Sequence, residues 1–142
     1  MQEELLTEIY RESNISPSKI GYFEAHSTGI RAGDPEEIGA VDRALANQRG
    51  KPLLIGSVKS NVGHPEPASA VCSIIKVLIA METGFIPPNI NFKRVREGLE
   101  GIKQQRIKIV TEATELLDND AIIGVNNFGF GGSNCHVILQ RF

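Results

Sequence analysis

The segment Ala68–Glu82 constrains the fold more than any other stretch. Its apolar residues Val71, Ile74, Ile75, Val77, Leu78 and Ile79 fall on almost every side of a helix, and such a helix is expected to be buried rather than laid on a surface. It is too short to span a bilayer, which takes about 20 apolar residues. Gly84 closes it, and Pro87-Pro88 forbids continuation. Before it stand an apolar run, Leu53-Leu54-Ile55, and the polar stretch Val58-Lys59-Ser60-Asn61-Val62-Gly63-His64. A strand, a tight polar loop and a buried helix are the working unit of α/β layer proteins. Their polar loop groups sit at a strand's carboxyl end, beside a helix amino terminus that favours developing negative charge.

The remaining segments extend this unit. Leu5, Leu6, Ile9 and Tyr10 form a helical stripe within Glu3–Ser13, ended by Asn14 and Ser16-Pro17. Ile20–Ala25 reads as a strand that delivers His26 to a loop over Ser27–Gly33. Asp34, Pro35 and Glu37 then have the spacing of an N-cap, a first helical residue and a capping-box partner. The helix they start carries Ile38, Val41 and Leu45 and ends near Gln48-Arg49-Gly50. Leu53–Val58 is the second strand. Residues 89–106 read as an exposed connection with one helical turn, and Ile107–Thr111 as a short edge strand. Ala121–Asn126 and Cys135–Gln140 pair as an antiparallel hairpin around Asn127–Asn134. Strands alternating with helices imply a mostly parallel sheet with helices on its faces.

Length and charge narrow the function classes. A chain of 142 residues suits one domain, here taken as 1–142. The net charge of -2 carries no electrostatic footprint for nucleic acid or anionic membrane. Cys72 and Cys135 form neither a metal spacing nor a disulfide framework. With no signal peptide or spanning segment, the expectation is a soluble, cytoplasmic protein without membrane or nucleic-acid partners.

Two post-strand loops supply His26 and His64 at the same end of the sheet. Neutral imidazole N–H groups aimed at one carbonyl oxygen stabilise an enolate or a tetrahedral oxyanion. The bland reading of each is an ordinary loop histidine. Lys59 is placed to orient the pair or to tune the titration of His64. The turn Gly129-Phe130-Gly131-Gly132 leads into a strand with the wrong spacing for a dinucleotide fingerprint. It is either an oxyanion-hole loop gated by Phe130 or a flexible hairpin tip. Asp34 is better explained as a helix cap than as an acid. His136 lies on the strand face opposite Cys135, Val137 and Leu139 and reads as structural. Neither cysteine has the setting that lowers a thiol pKa. A metal hydrolase built on His26, His64 and Asp34 lacks the short His spacing such sites use, so no metal is expected.

Three motifs stand in order: Glu24-Ala25-His26-Ser27-Thr28-Gly29, Lys59-Ser60-Asn61-Val62-Gly63-His64 and Asn127-Phe128-Gly129-Phe130-Gly131-Gly132-Ser133-Asn134. Over nearly the whole chain they resemble the carboxyl-terminal half of a β-ketoacyl synthase of the thiolase superfamily. The run Gly63–Ser69 looks most like the ketosynthase of animal-type multifunctional fatty acid synthases, with polyketide synthases as close relatives. The resemblance implies an α/β fold, the carboxyl-terminal half of a thiolase-like fold. Its mixed, mostly parallel sheet has helices on its faces and a closing antiparallel hairpin.

The implied reaction is decarboxylative Claisen condensation of malonyl on acyl carrier protein with an acyl group. By resemblance, His26 and His64 bind the malonyl thioester carbonyl, Lys59 supports the electrostatics, and Phe130 gates the site. Thr28, with Gly131 and Gly132, faces the phosphopantetheine arm. That arm is delivered by the carrier protein, so no directly bound cofactor is implied. Ser27 and Ile30 stand where the family pattern has glycine and threonine, and Ile30 has no hydroxyl to offer the arm. The nucleophilic cysteine belongs to the family's amino-terminal half. The expectation is therefore a partial ketosynthase, inactive alone in condensation, whose parent is a homodimer and whose partners are the amino-terminal half and the carrier protein. The alternatives are a polyketide synthase ketosynthase or a non-catalytic remnant serving as an interaction module. An exposed apolar face, where the other half would pack, would mark the chain as incomplete.

Overall fold

The computed structural model describes residues 1–117 and 121–141. The strands are β1 (Ile20–Glu24), β2 (Leu53–Gly56), β3 (Phe85–Ile86), β4 (Ile107–Ile109), β5 (Thr114–Glu115), β6 (Ile122–Phe128) and β7 (Asn134–Gln140). The helices are α1 (Gln2–Glu12), α2 (Gly33–Val41), α3 (Lys59–Val62), α4 (Ser69–Thr83) and α5 (Glu100–Lys103). The main sheet has the order β4-β2-β1-β6-β7, parallel except for the closing β6–β7 pair. β3 and β5 form a separate small ribbon. This is the α/β architecture expected from the sequence, with β4 at the sheet edge and one helical turn within residues 89–106.

Side-chain alternation in the strands divides the core between two faces. Phe23, Ile20, Leu53, Ile55 and Ile107 meet Leu6 and Tyr10 of α1 and Ile38 and Val41 of α2 on one face. Tyr22, Ile123 and Val125 meet Val77 and Met81 of α4 on the other. Beyond Val41 the helix continues as a π-helical turn, Asp42–Ala46. Among the described residues no helix is long and apolar enough to cross a membrane.

Three local expectations are corrected. The polar stretch after β2 is not an open loop: the strand stops at Gly56, and Lys59–Val62 winds into one helical turn. Asp34 does not cap α2, whose N-cap position is Ala32 with no side-chain cap bond. Asp34 Oδ2 instead accepts the Gly29 backbone N–H at 3.1 Å, and Glu37 turns inward to the end of β1 rather than back to its own helix. Finally, α4 is buried on one face only. Ser69, Ser73, Lys76, Val77, Ala80 and Met81 face the sheet, while Val71, Ile75, Leu78 and Ile79 are each about half exposed. The α4 sequence is apolar on both sides, but the single sheet of this chain covers only one of them.

Candidate active site

β2, β1 and β6 are parallel neighbours, so their carboxyl ends open at one rim of the sheet. His26 follows β1, Lys59 and His64 follow β2, and Phe130 follows β6. The His26 and His64 rings meet edge to face, with centroids 5.4 Å apart and planes at 88°. Sequence spacing brought both histidines to equivalent loops; parallel pairing of β1 and β2 makes them neighbours.

Two contacts converge on the Nδ1 of His26. The Phe128 N–H points at His26 Nδ1 at 3.3 Å, and the side-chain oxygen of Asn127, Oδ1, lies 3.2 Å from the same nitrogen. An amide N–H only donates and calls for an accepting Nδ1, whereas the Asn127 carbonyl oxygen only accepts and calls for an Nδ1–H, so the two contacts favour opposite tautomers of the neutral ring. The pKa of His26 is lowered, first by partial burial and next by the Lys59 ammonium, against a smaller opposing effect of Asn127. A neutral ring with Nε2–H free is a hydrogen-bond donor, the form suited to a developing oxyanion. The Lys59 charge therefore acts on His26.

Lys59 is buried, and its Nζ has no hydrogen-bond partner among the described residues. Desolvation lowers its pKa, while Glu24 and Glu37 oppose that shift. A buried cation of this kind costs free energy unless carboxylates stand near it.

Glu37 is the residue that sequence reasoning misplaced most. Its Oε1 accepts the His26 backbone N–H at 2.8 Å and the Asn126 amide at 3.0 Å. Its Oε2 accepts the Ser27 N–H at 2.8 Å and the Ser27 hydroxyl at 3.1 Å. The hydroxyl of Ser27 thus binds to the carboxylate that holds the loop. Asp34 sits beside it with its pKa raised, first by burial and then by the Glu37 charge.

Thr28, Ser27, Lys59 and Ser60 line a cleft of about 670 Å³ under the segment that carries Arg94 and Arg96. Neither imidazole lines it. Arg96 straps this segment to the loop by donating to Gly29 O at 2.8 Å and Ile30 O at 3.1 Å. Phe130, Gly131 and Gly132 stand at an exposed hairpin tip, with Phe130 wholly solvent-exposed. Among the described residues no group of three His, Cys, Asp or Glu side chains gathers as a metal site.

Comparison with known proteins supplies the class. Residues 1–93 match the model of the beta-ketoacyl synthase, C-terminal domain, and residues 96–142 that of the ketoacyl-synthetase C-terminal extension. The chain belongs to the β-ketoacyl synthase family, as its carboxyl-terminal domain, with a thiolase-like fold. It is 46% identical over 143 residues to compactin diketide synthase mlcB of Penicillium citrinum, covering 99% of this chain and 5% of that protein. It is 44% identical over 142 residues to a highly reducing polyketide synthase of Aspergillus terreus, covering 98% of this chain and again 5% of the relative. The ketosynthase from module 6 of the bacillaene synthase of Bacillus subtilis 168 superposes with a TM-score of 0.93 at 32% identity, over 99% of this chain and 26% of that chain. The chain therefore spans about a quarter of the solved ketosynthase and a twentieth of the curated relatives. These relatives are polyketide synthases, and they favour that alternative over the animal-type fatty acid synthase expected from residues 63–69.

Proposed function

We propose that this chain supplies the decarboxylation and oxyanion half of a polyketide synthase ketosynthase. The observation that carries the reading is the edge-to-face His26–His64 pair, with ring centroids 5.4 Å apart. On this reading malonyl arrives as a thioester on the phosphopantetheine arm of an acyl carrier protein. The bond from its α-carbon to the carboxylate breaks, carbon dioxide leaves, and the electron pair passes to the thioester oxygen. His26 and His64 donate hydrogen bonds to that oxygen. The enolate carbon then attacks an acyl thioester held on a cysteine, and the cysteine thiolate leaves. That cysteine would lie on the part of a ketosynthase that this chain does not span.

Lys59 adds a fixed positive charge to the enolate's surroundings. Thr28 lines the cleft and has a hydroxyl to offer the pantetheine arm, whereas Ile30 is apolar and half exposed. Phe130, exposed here, and the amides of Gly131 and Gly132 are proposed to close on substrate when the other half is present. The exposed Val71, Ile75, Leu78 and Ile79 face of α4 is the surface proposed to receive that amino-terminal half.

Two variants test the reading in the complete ketosynthase. His26→Ala and His64→Ala should each lower malonyl-thioester decarboxylation by about 10²- to 10³-fold, the effect of losing one oxyanion donor. The 142-residue chain alone should release no 3-ketoacyl product. Robust product from the chain alone, or wild-type decarboxylation in both variants, would overturn it. A remnant with only a structural role would show the second result.

A further inference from the structure

The two histidine arms leave different strands, and one buried carboxylate ties them together. We propose that Glu24, with Lys76 and Tyr22, is the positioning device of the site, holding the Lys59–His64 arm at a fixed offset from His26. The inference rests on the ketosynthase reading above and names residues that act through others.

Glu24 is the last residue of β1, two before His26, and is completely buried. Its Oε1 accepts the backbone N–H of Val58, the N-cap residue of α3, at 2.6 Å. Its Oε2 accepts the Tyr22 hydroxyl at 2.6 Å and the Lys76 ammonium at 2.9 Å. Lys76 also donates to the Tyr22 oxygen at 2.8 Å. Strand alternation puts Tyr22 and Glu24 on one face of β1, and Lys76 comes from the sheet-facing stripe of α4. Both charges of the Glu24–Lys76 pair are withdrawn from water, at 0% and 5% side-chain exposure.

α3 cannot orient itself. A single turn lies far below the length at which a helix is stable alone, and its N-cap residue has no side-chain cap bond. Its direction is therefore set by tertiary bonds, and Glu24 makes the one to its cap amide. Asn89 adds further tertiary bonds: its Oδ1 accepts the Ser57 N–H at 2.9 Å and the Ser60 hydroxyl at 3.1 Å. Gly56, where β2 ends, leaves room for the network: a Cβ there would lie 2.4 Å from the Tyr22 hydroxyl and 3.3 Å from Lys76 Nζ. Glu24 is also the first carboxylate opposing the desolvation of Lys59. Net stability does not require such a pair, because replacing a buried ion pair by apolar groups of like volume is often neutral.

That neutrality makes the test selective. In the complete ketosynthase, Glu24→Leu/Lys76→Met removes both charges and the acceptor of the Val58 N–H and puts apolar side chains of similar volume in their place. Decarboxylation kcat should fall about 10- to 100-fold with KM unchanged, the effect of misplacing a reacting group by about 1 Å. The ring correlations of His26 and His64 in nuclear magnetic resonance spectra should shift, while those of His136, on the other sheet face, stay put. Tyr22→Phe, which loses one hydroxyl and keeps the ring, should show the same pattern more weakly and guards against a double variant that does not fold. An unchanged kcat in a folded variant, or unmoved His26 and His64 rings, overturns the proposal. The ring shifts need no turnover, so they separate a failure of positioning from a failure of the ketosynthase reading, which the His26→Ala and His64→Ala variants test by themselves.

Discussion

Among single residues, His136 shows most clearly how the site is backed by the core. The Asn126 amide nitrogen donates to Glu37, so its oxygen is left to accept from His136 Nδ1 at 2.7 Å. His136 Nε2 then accepts the Tyr10 hydroxyl at 3.2 Å, and Phe23 stacks on the ring at 5.6 Å. A chain of bonds of fixed polarity thus runs from α1 through β7 and β6 to Glu37 and the His26 amide. Burial holds the His136 pKa down at about 4 against an ordinary 6.5. Between those values the unfolded chain binds a proton that the folded chain does not, so stability is full above about pH 6.5 and declines as pH falls toward 4. The expected loss is about 3 kcal/mol, measured as a falling urea midpoint. The decline should flatten in His136→Gln, and an equal decline in that variant would reassign it to other groups. The structural reading of His136 was available from strand alternation alone, because its face could be counted. Its partners were not, since Tyr10 lies far off in sequence.

At the scale of elements, close approach explains what periodicity did not. β6 passes under α1 at Gly124, where a Cβ would stand 2.6 Å from the Tyr10 hydroxyl and 2.9 Å from the His136 ring. Gly124→Ala should therefore cost about 1–3 kcal/mol by overpacking, read from denaturant unfolding, with an undiminished midpoint contradicting the contact. The same reasoning accounts for α2. Asp34-Pro35-Glu36-Glu37 has the local pattern of a capping box, and local pattern was all the sequence offered. The buried amides of His26 and Ser27, left unpaired where β1 ends, compete for the Glu37 carboxylate and win, since an unsatisfied buried amide costs more than an exposed cap. The strands of the main sheet and the longer helices were legible because they rest on periods of 2 and 3.6, whereas the short β3–β5 ribbon was not. The helical turn Lys59–Val62 was not, because it is held by Glu24 and Asn89 rather than by its own propensity.

For the whole molecule, the informative surface is the outer face of α4. Val71, Ile75, Leu78 and Ile79 form a contiguous apolar strip on a helix whose inner face holds Ser69, Ser73 and Lys76. A helix that is apolar on its exposed face as well as on its buried one is built for cover on both sides. The proposed cover is the amino-terminal half of a ketosynthase, consistent with a chain that spans 26% of a solved one. Ile75→Lys/Leu78→Glu should reduce self-association and apolar-dye binding of the free chain, and should abolish its assembly with a co-expressed amino-terminal half. Assembly that survives the double variant would place the cover elsewhere.

By itself the sequence determined the order and type of the main elements, the two histidine loops and the family resemblance. All of these are written in short-range periodicity or in contiguous motifs. Only the tertiary structure decided that β1 and β2 lie side by side, which makes His26 and His64 neighbours. It likewise decided that Glu37 serves the site rather than its own helix, and that Glu24 binds the arm carrying Lys59. Each of those bonds joins residues far apart in the chain, and their geometry follows from sheet order and burial, which no local pattern encodes.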